Sequence, residues 1–230
     1  MVFRLLPLVL LAASAAADFS DDFESYTPGQ DPEASGDWLR SEYGGHAWVA
    51  SLGGGQVLEA AFEDSLAVGY VCTAAGDWDD GSVGMSFSPD GDGAYCCVLA
   101  RMVTSGETYA GGLVTVMQPV TTAFLAYVNA SGDFEVLWSG FGPFVSQGEW
   151  VDLEMTLEGS TDVVLTLYCD GSLAGTATDA VHALGPGLSG FAMLRDPEEV
   201  VPGVSADDFE VVLDPSSLES RTFAQIKRLL

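Results

Sequence analysis

The sequence predicts an all-β protein in which two antiparallel sheets pack face to face as a sandwich. Apolar and polar residues alternate with a period of two in many short stretches, as in strands with one buried face. Clusters of Gly, Asp, Pro and Asn separate these stretches, and no segment of the central body keeps a helical period. Many short strands joined by regular turns form a sandwich or a barrel.

The alternation is clearest in Trp150–Glu158, where the odd-numbered residues are apolar and are predicted to face the core. Asp170-Gly171 lies between two strand-like stretches and predicts a tight hairpin turn. The further strand candidates are 56–62, 66–72, 82–88, 94–102, 112–117, 122–128, 134–137, 163–169, 188–194 and 208–213.

One domain is predicted over residues 18–214, preceded by a segment with the features of a secretory signal peptide. In residues 1–17, Arg4 supplies a positive charge, Leu5–Ala13 is apolar, and small residues precede the expected cleavage site at Asp18. The mature protein is therefore expected to be exported to the cell exterior, the cell surface or the periplasm. It is expected to have no membrane span.

Residues 215–230 are predicted to be a separate tail, because Pro215 breaks the last strand candidate. Its apolar residues have helical spacing and lie beside basic residues; they are Phe223, Ile226, Leu229 and Leu230. The pattern predicts a short docking helix or a frayed end, and a sorting or attachment peptide is the alternative.

The charge of the chain excludes two classes of partner. There are 34 acidic and 7 basic residues, which give a formal net charge of −27. Within the body the only basic residues are Arg40, Arg101 and Arg195. Such a body repels nucleic acids and anionic membrane surfaces. The acidity fits either a soluble surface or calcium binding, since calcium prefers carboxylate and carbonyl oxygens.

The four cysteines leave two structural possibilities open. Cys72, Cys96, Cys97 and Cys169 are disulfide candidates, because export permits disulfides, and buried free thiols are the alternative. The adjacent Cys96 and Cys97 should point to opposite faces of a strand, which argues against a bond between them. With two distant histidines and no Cys-x-x-Cys, a zinc site is not expected.

Several segments, taken in chain order, form a family pattern. In two of them, a Trp opens one strand and a Tyr-x-Asp-Gly turn closes the next. The segments that form the pattern are Phe19–Tyr26, Gly36–Trp38, Ala94–Arg101 with Tyr109, Gly148–Trp150, Leu167–Gly171 and Ser205–Val211. Together they resemble the concanavalin A-like lectin and glucanase superfamily, in its laminin-G-like form, as found in secreted bacterial proteins. The resemblance implies a jelly-roll sandwich. That fold carries lectins, glycosidases, adhesins and spacers, so it leaves the function open.

The tail has a resemblance of its own. Arg221–Lys227 is similar to short C-terminal peptides on some exported bacterial proteins. Those peptides usually carry Trp-Gly where this chain has Phe223-Ala224.

The resemblance also implies a calcium site where the first and last strands meet. In related carbohydrate-binding jelly rolls these strands share a structural calcium; the corresponding residues here are Asp21, Asp22, Glu24, Asp207 and Asp208. Like charges in one place repel each other unless a cation or water screens them. The alternative is that each acid faces solvent on an edge strand.

Saccharide binding in this fold uses aromatic side chains beside carboxylates or amides on loops. The candidates are Trp78, which has acidic neighbours, together with Asp80, Trp38 and Tyr43. The other loop aromatics considered are Trp48, Trp138, Phe141 and Phe144. The predicted partner is a glycan or another cell-surface polymer.

Catalysis is not expected from the sequence. Jelly-roll glucanases carry Glu-x-Asp-x-x-Glu or Glu-x-Asp-x-Glu on one strand, whereas Glu149, Asp152 and Glu154 follow the order Glu-x-x-Asp-x-Glu. The sequence favours a secreted, non-catalytic carbohydrate-binding or adhesion module. A glycoside hydrolase of the same fold and a structural envelope protein are the alternatives.

Overall fold

The protein is a two-layer antiparallel β-sandwich, seen here in a computed structural model that describes residues 18–40, 45–62, 67–195 and 203–213. The elements of the described residues are β1 (Phe19–Asp21), a 3₁₀ helix (Pro32–Ser35), β2 (Trp38–Arg40), β3 (His46–Leu52), β4 (Gly55–Ala61), β5 (Ala67–Cys72), β6 (Gly81–Asp90), β7 (Ala94–Met102), β8 (Thr108–Met117), β9 (Val120–Val128), β10 (Phe134–Phe141), β11 (Val151–Glu158), β12 (Val163–Cys169), β13 (Ser172–Asp179), β14 (Leu188–Arg195) and β15 (Gly203–Leu213). The predicted fold class is confirmed.

The strands divide between the two sheets as follows. The first sheet has the order β13-β12-β11-β6-β15-β4-β3, with β1 paired to the free part of the β15 edge. The second sheet has the order β10-β9-β8-β7-β14-β5-β2. Both contain neighbours that are distant in sequence, so the chain crosses between the layers several times.

The first sheet follows the predicted alternation. Val151, Leu153, Met155 and Leu157 of β11 are buried between the layers, while Asp152, Glu154 and Glu158 are exposed. The hairpin between β12 and β13 turns at Asp170-Gly171, where both residues have positive φ (49° and 68°). Those angles match a type I′ turn, so the hairpin prediction is confirmed.

The central strands of the second sheet are buried on both faces. In β7, Cys96, Val98 and Ala100 face the core between the sheets, whereas Cys97 and Leu99 belong to a separate apolar cluster on the outer face. Strands of this kind show no period of two, because neither face meets water freely.

The last strand changes partner along its length. Its first half pairs with β4 through Ser205 and Ala206, and its second half pairs with β1 from Phe209 to Val211. A bulge separates the halves, and Asp208 has a positive φ of 52° there. Bulges of this kind bend a strand and redirect its side chains.

All four cysteines are free and buried in the structure, which corrects the disulfide prediction in favour of buried thiols. No strand pairing places two of them opposite each other; Cys72, for example, lies opposite Ser189 and Trp38. Cys96 and Cys97 do point to opposite faces of β7. Burial raises the pKa of Cys97 and of Cys169 to about 12, so both thiols stay protonated and unreactive.

The predicted signal peptide, the tail at 215–230 and Tyr43 lie outside the described residues. Among the residues that are described, no helix has the length and apolarity needed to cross a membrane.

Candidate functional site

The first and last strands lie side by side, as the resemblance implied, and bring acidic side chains to one seam between β1 and β15. Asp21 is already occupied there. Its Oδ1 accepts a hydrogen bond from the Phe23 amide at 2.9 Å, and its Oδ2 accepts from the Tyr26 hydroxyl at 2.6 Å and from Trp38 Nε1 at 2.9 Å. Asp21 therefore ties the Tyr26 and Trp38 side chains of the core to β1.

Two further acids of the predicted set also have structural partners. Glu24 Oε1 accepts from the Gln56 amide at 2.8 Å, and Asp22 Oδ1 accepts from the Glu24 amide at 3.1 Å. In the described part of the chain, no three His, Cys, Asp or Glu side chains are arranged to hold a metal ion. Hydrogen bonds within the protein engage Asp21, Asp22 and Glu24, while Asp207 still lies near enough to other acids of the set to feel their charges. Calcium binding itself stays a prediction, which melting curves with and without a chelator would test.

Asp207 is the acid at the seam whose ionisation is most disturbed. Burial, together with the charges of Asp208, Glu24 and Asp22, raises its pKa to about 6. The usual value in an unfolded chain is about 3.9. Folding therefore favours the protonated form, and the contribution of this group to stability is lost as the pH rises through 6.

We expect Asp207→Asn to raise the free energy of unfolding at pH 7.5 by about 1–2 kcal/mol, a value reduced for partial exposure to water. The gain should shrink towards zero by about pH 4, where the wild-type carboxyl is also protonated in both states. Urea unfolding at several pH values measures this gain in the free energy of unfolding. Asp162→Asn, which removes an exposed charge far from the seam, is the control. An equal gain in both variants would show a general charge effect instead.

Trp38 and Trp78, predicted to bind a saccharide, are core residues with exposed fractions of 0% and 1%. Trp78 donates a hydrogen bond from Nε1 to Ser189 Oγ at 3.1 Å, and Trp38 bonds to Asp21. Neither indole has a face open to a ligand, so this prediction is corrected. The acidic residues around Trp78 indicated an exposed turn, but the ring itself points between the sheets.

Asp80, the fourth predicted ligand residue, holds a buried arginine instead. Arg101 is completely buried and lies one residue before the end of β7. It donates to the carbonyls of Asp79, Leu184 and Gly159 at 2.7–2.8 Å and to Asp80 Oδ1 at 3.2 Å. Asp80 Oδ1 also accepts from the Gly159 amide at 2.9 Å. This arrangement ties three loops at one end of the sandwich, and Asp80 belongs to it.

The carboxylates of β11 lie on the outer face of the first sheet. Asp152 and Glu154 are two residues apart and both are exposed, as expected for a solvated face. Asp152 Oδ1 accepts from Ser86 Oγ at 2.5 Å. Glu149 lies before the strand, where its Oε2 accepts from the Ser146 amide at 2.8 Å. The three acids therefore do not line up along one strand.

The most exposed aromatic rings among the described residues lie on the segment 141–147, which we call the aromatic loop. Phe141 and Phe144 have exposed fractions of 93% and 76%. Both were among the loop aromatics considered from the sequence, but neither was selected. No local signal distinguishes them, because their exposure depends on contacts with residues that are distant in sequence.

The backbone of the aromatic loop is held against the turn between β8 and β9. The Gly142 amide donates to the Thr121 carbonyl at 3.1 Å, the Val145 amide donates to the Pro119 carbonyl at 2.9 Å, and Thr121 Oγ1 donates to the Pro143 carbonyl at 2.6 Å. A Cβ at Gly142 would lie 2.3 Å from Thr121 Oγ1, so only glycine permits this approach. The two phenylalanines are thus displayed on a fixed backbone.

Polar groups hydrogen-bond to the aromatic loop and to the adjacent turn between β8 and β9. Gln147 Nε2 donates to Asp90 Oδ1 at 2.5 Å, and Asp92 Oδ1 accepts from the Gln118 amide at 2.7 Å. Asp90, Asp92 and Gln147 are all exposed. This end of the sandwich therefore has aromatic surface beside carboxylate and amide groups.

A second cluster that the sequence did not reveal surrounds His182. Its ring stacks on Tyr127 with centroids 3.6 Å apart, and its Nδ1 lies 3.0 Å from Asp179 Oδ2. Asp179 also accepts from the Tyr109 hydroxyl at 2.8 Å, and Tyr127 bonds to Glu107. Hydrogen bonds from the His182 and Val181 amides outweigh burial and lower the pKa of Asp179. The cluster joins the two sheets at the same end as Arg101.

The outer face of the second sheet carries no charge among the described residues. Its side chains are small or apolar; those at its centre are Cys97, Leu99, Ala110, Phe124, Ala126 and Val128, with Met102, Ala192 and Leu194 beside them. A groove of about 610 Å³ crosses this face, between the hairpins at 102–108 and 128–134 and strands β5 and β14. We call it the apolar groove. The described residues place no carboxylate pair in it.

The sequence matches no family model and no curated protein. The fold is similar to solved structures. One is a Bacillus subtilis protein of unknown function with a galectin-like fold: TM-score 0.58, 13% identity, 80% of this chain and 93% of that chain covered. The Bacillus licheniformis β-glucanase has a TM-score of 0.56 and 11% identity, with 86% of this chain and 98% of that chain covered. The laminarinase from Rhodothermus marinus has a TM-score of 0.56 and 17% identity, with 85% of this chain and 96% of that chain covered. At these identities the likeness establishes the concanavalin A-like fold.

Proposed function

We propose that this chain is an exported, non-catalytic carbohydrate-binding module that binds a neutral saccharide at the aromatic loop. One observation carries the proposal: Phe141 and Phe144 face solvent almost completely on a backbone that three hydrogen bonds hold in place. Rigid, exposed aromatic surface is unfavourable in water unless a partner covers it.

The chemistry around the loop favours a saccharide. Sugar rings have apolar C–H faces that pack on aromatic rings, and their hydroxyl groups donate to carboxylates and amides. Asp90, Asp92 and Gln147 supply such acceptors. The ligand should be neutral, because a chain with a formal net charge of −27 repels anionic polymers.

A glycoside hydrolase is the second candidate, and the solved structures favour it, since several similar ones are named as glucanases or laminarinases. Hydrolysis needs two carboxyl groups on either side of the scissile bond. The acid pair on one strand, Asp152 and Glu154, lies exposed on the outer face of the first sheet. The apolar groove offers no such pair among its described lining residues. These two features support binding without turnover.

We expect the double variant Phe141→Ser, Phe144→Ser to bind its best neutral glucan about 100-fold more weakly than wild type. Each ring contributes apolar contact that corresponds to about a tenfold change in affinity. The probes are soluble β-1,3-glucan and β-1,3-1,4-glucan, followed by a wider neutral glycan array. Binding is measured by calorimetry, and reducing-sugar release is measured in the same samples.

The control is Leu173→Ser, Val181→Ser, which removes two exposed apolar side chains from other parts of the surface. Equal losses in both double variants would contradict a site at the aromatic loop. Binding to phosphatidylcholine vesicles with no glycan binding would assign the loop to lipid instead. Sugar release that is abolished by Asp152→Asn or Glu154→Gln would establish the hydrolase.

A further inference from the structure

We propose that the apolar groove is the docking site of this chain's own C-terminal segment, residues 221–230. The described lining residues of the groove are all uncharged, although the protein is strongly acidic. The segment carries apolar residues at helical spacing and is basic, so its chemistry complements both the groove and the acidic residues beside it.

The floor of the groove is shaped to receive apolar side chains. Neighbouring strands place small residues next to one another there: Ala192 of β14 lies opposite Gly69 of β5, and both line the groove. Larger side chains form the walls, including Leu99, Met102, Val128 and Leu194. Covering such a surface with apolar groups is favourable by roughly 25 cal/mol per Å².

The described chain ends close to this groove. Leu213 pairs with Gly81 at the end of β15, and the adjacent Asp80 bonds to Arg101. Met102, the next residue along, lines the groove. The last described residue and the open end of the groove therefore lie at the same end of the sandwich.

The intervening chain is long enough to reach. Residues 214–220 span up to about 23 Å when extended. Two packed sheets are about 10 Å apart, so seven residues can pass from the end of β15 in the first sheet to the outer face of the second.

Charge selects this segment over other apolar partners. Residues 221–230 contain Arg221, Lys227 and Arg228 and no acid. The hairpins that wall the groove carry Glu107 and Asp133, and hydrogen bonds from Tyr127 and Ser105 lower the pKa of Glu107, so it stays ionised. Two copies of the acidic body would instead repel each other if these faces met.

The test is site-specific photo-crosslinking in the full exported chain. A benzoylphenylalanine at position 226 should react with peptides from β5, β7, β9 and β14 of the same chain. Mixing isotope-labelled and unlabelled chains separates contacts within one molecule from contacts between molecules. Crosslinks spread over the surface, crosslinks between chains, or none at all would overturn the proposal.

A matched pair of variants checks the groove itself. Val71→Lys places a positive charge at the groove, whereas Val212→Lys makes the same change on the outer face of the first sheet. We expect the first to lower the crosslink yield about tenfold and the second to leave it unchanged. Equal yields in the two folded variants would also overturn the proposal. The aromatic loop lies at the other end of the sandwich, so glycan binding succeeds or fails independently.

Discussion

Arg101→Met should lower the free energy of unfolding by about 3–5 kcal/mol. The guanidinium group is fully buried and donates to the carbonyls of Asp79, Leu184 and Gly159 and to the carboxylate of Asp80. Methionine fills similar volume but donates no hydrogen bond. The variant therefore leaves several acceptors without their donor, and each one costs about 1–3 kcal/mol when it stays dry.

Urea unfolding of Arg101→Met, Arg101→Lys and Arg40→Met measures this effect. Lysine presents one ammonium group and does not reach all the acceptors of the planar guanidinium, so Arg101→Lys should lose most of the same stability. Arg40 is exposed and forms a 3.7 Å ion pair with Asp31, so its loss should change stability by less than about 1 kcal/mol. Similar stabilities for Arg101→Met and Arg40→Met would contradict the assigned role.

Trp38→Ala should also lower the free energy of unfolding by about 3–5 kcal/mol. The ring belongs to the second sheet but packs against Phe19 and Phe209 of the first sheet, with ring centroids 6.0 and 4.8 Å apart. Its removal leaves a cavity between the layers. It also takes one donor from Asp21.

Trp38→Phe separates the two contributions. It keeps most of the packing but loses the hydrogen bond to Asp21, so we expect a smaller loss of about 1–2 kcal/mol. Trp150→Ala, at a partly exposed tryptophan, is the control and should cost less. A Trp38→Phe variant that keeps its stability but no longer binds glycan would restore the ligand-binding role that burial argues against.

The first sheet was predictable because its outer face meets water. The period of two in β6, β11 and β15 reports directly which residues face the core, and these assignments agree with the structure. The hairpin at Asp170-Gly171 was predictable for a local reason, since that pair suits two successive positive φ angles.

The second sheet and the site were less predictable. β8 begins at Thr108 rather than at the predicted Gly112, because a strand buried on both faces gives no alternation to mark its start. The residues that present Phe141 and Phe144 to solvent, Thr121 and Pro119, are about twenty positions away. The sequence analysis selected Trp78 because acids surround it, but the direction in which each aromatic ring points depends on contacts with distant residues.

The pairing of β1 with β15 has a consequence for how the chain reaches its native state. The Leu213 amide bonds to Asp18, 195 residues earlier. Until the final strand has been made, β1 lacks its neighbour and β6 keeps an open edge. Closing so long a loop is slow and leaves unpaired edges exposed meanwhile. A nascent chain of this protein is therefore expected to expose these open strand edges to aggregation until β15 has been synthesised.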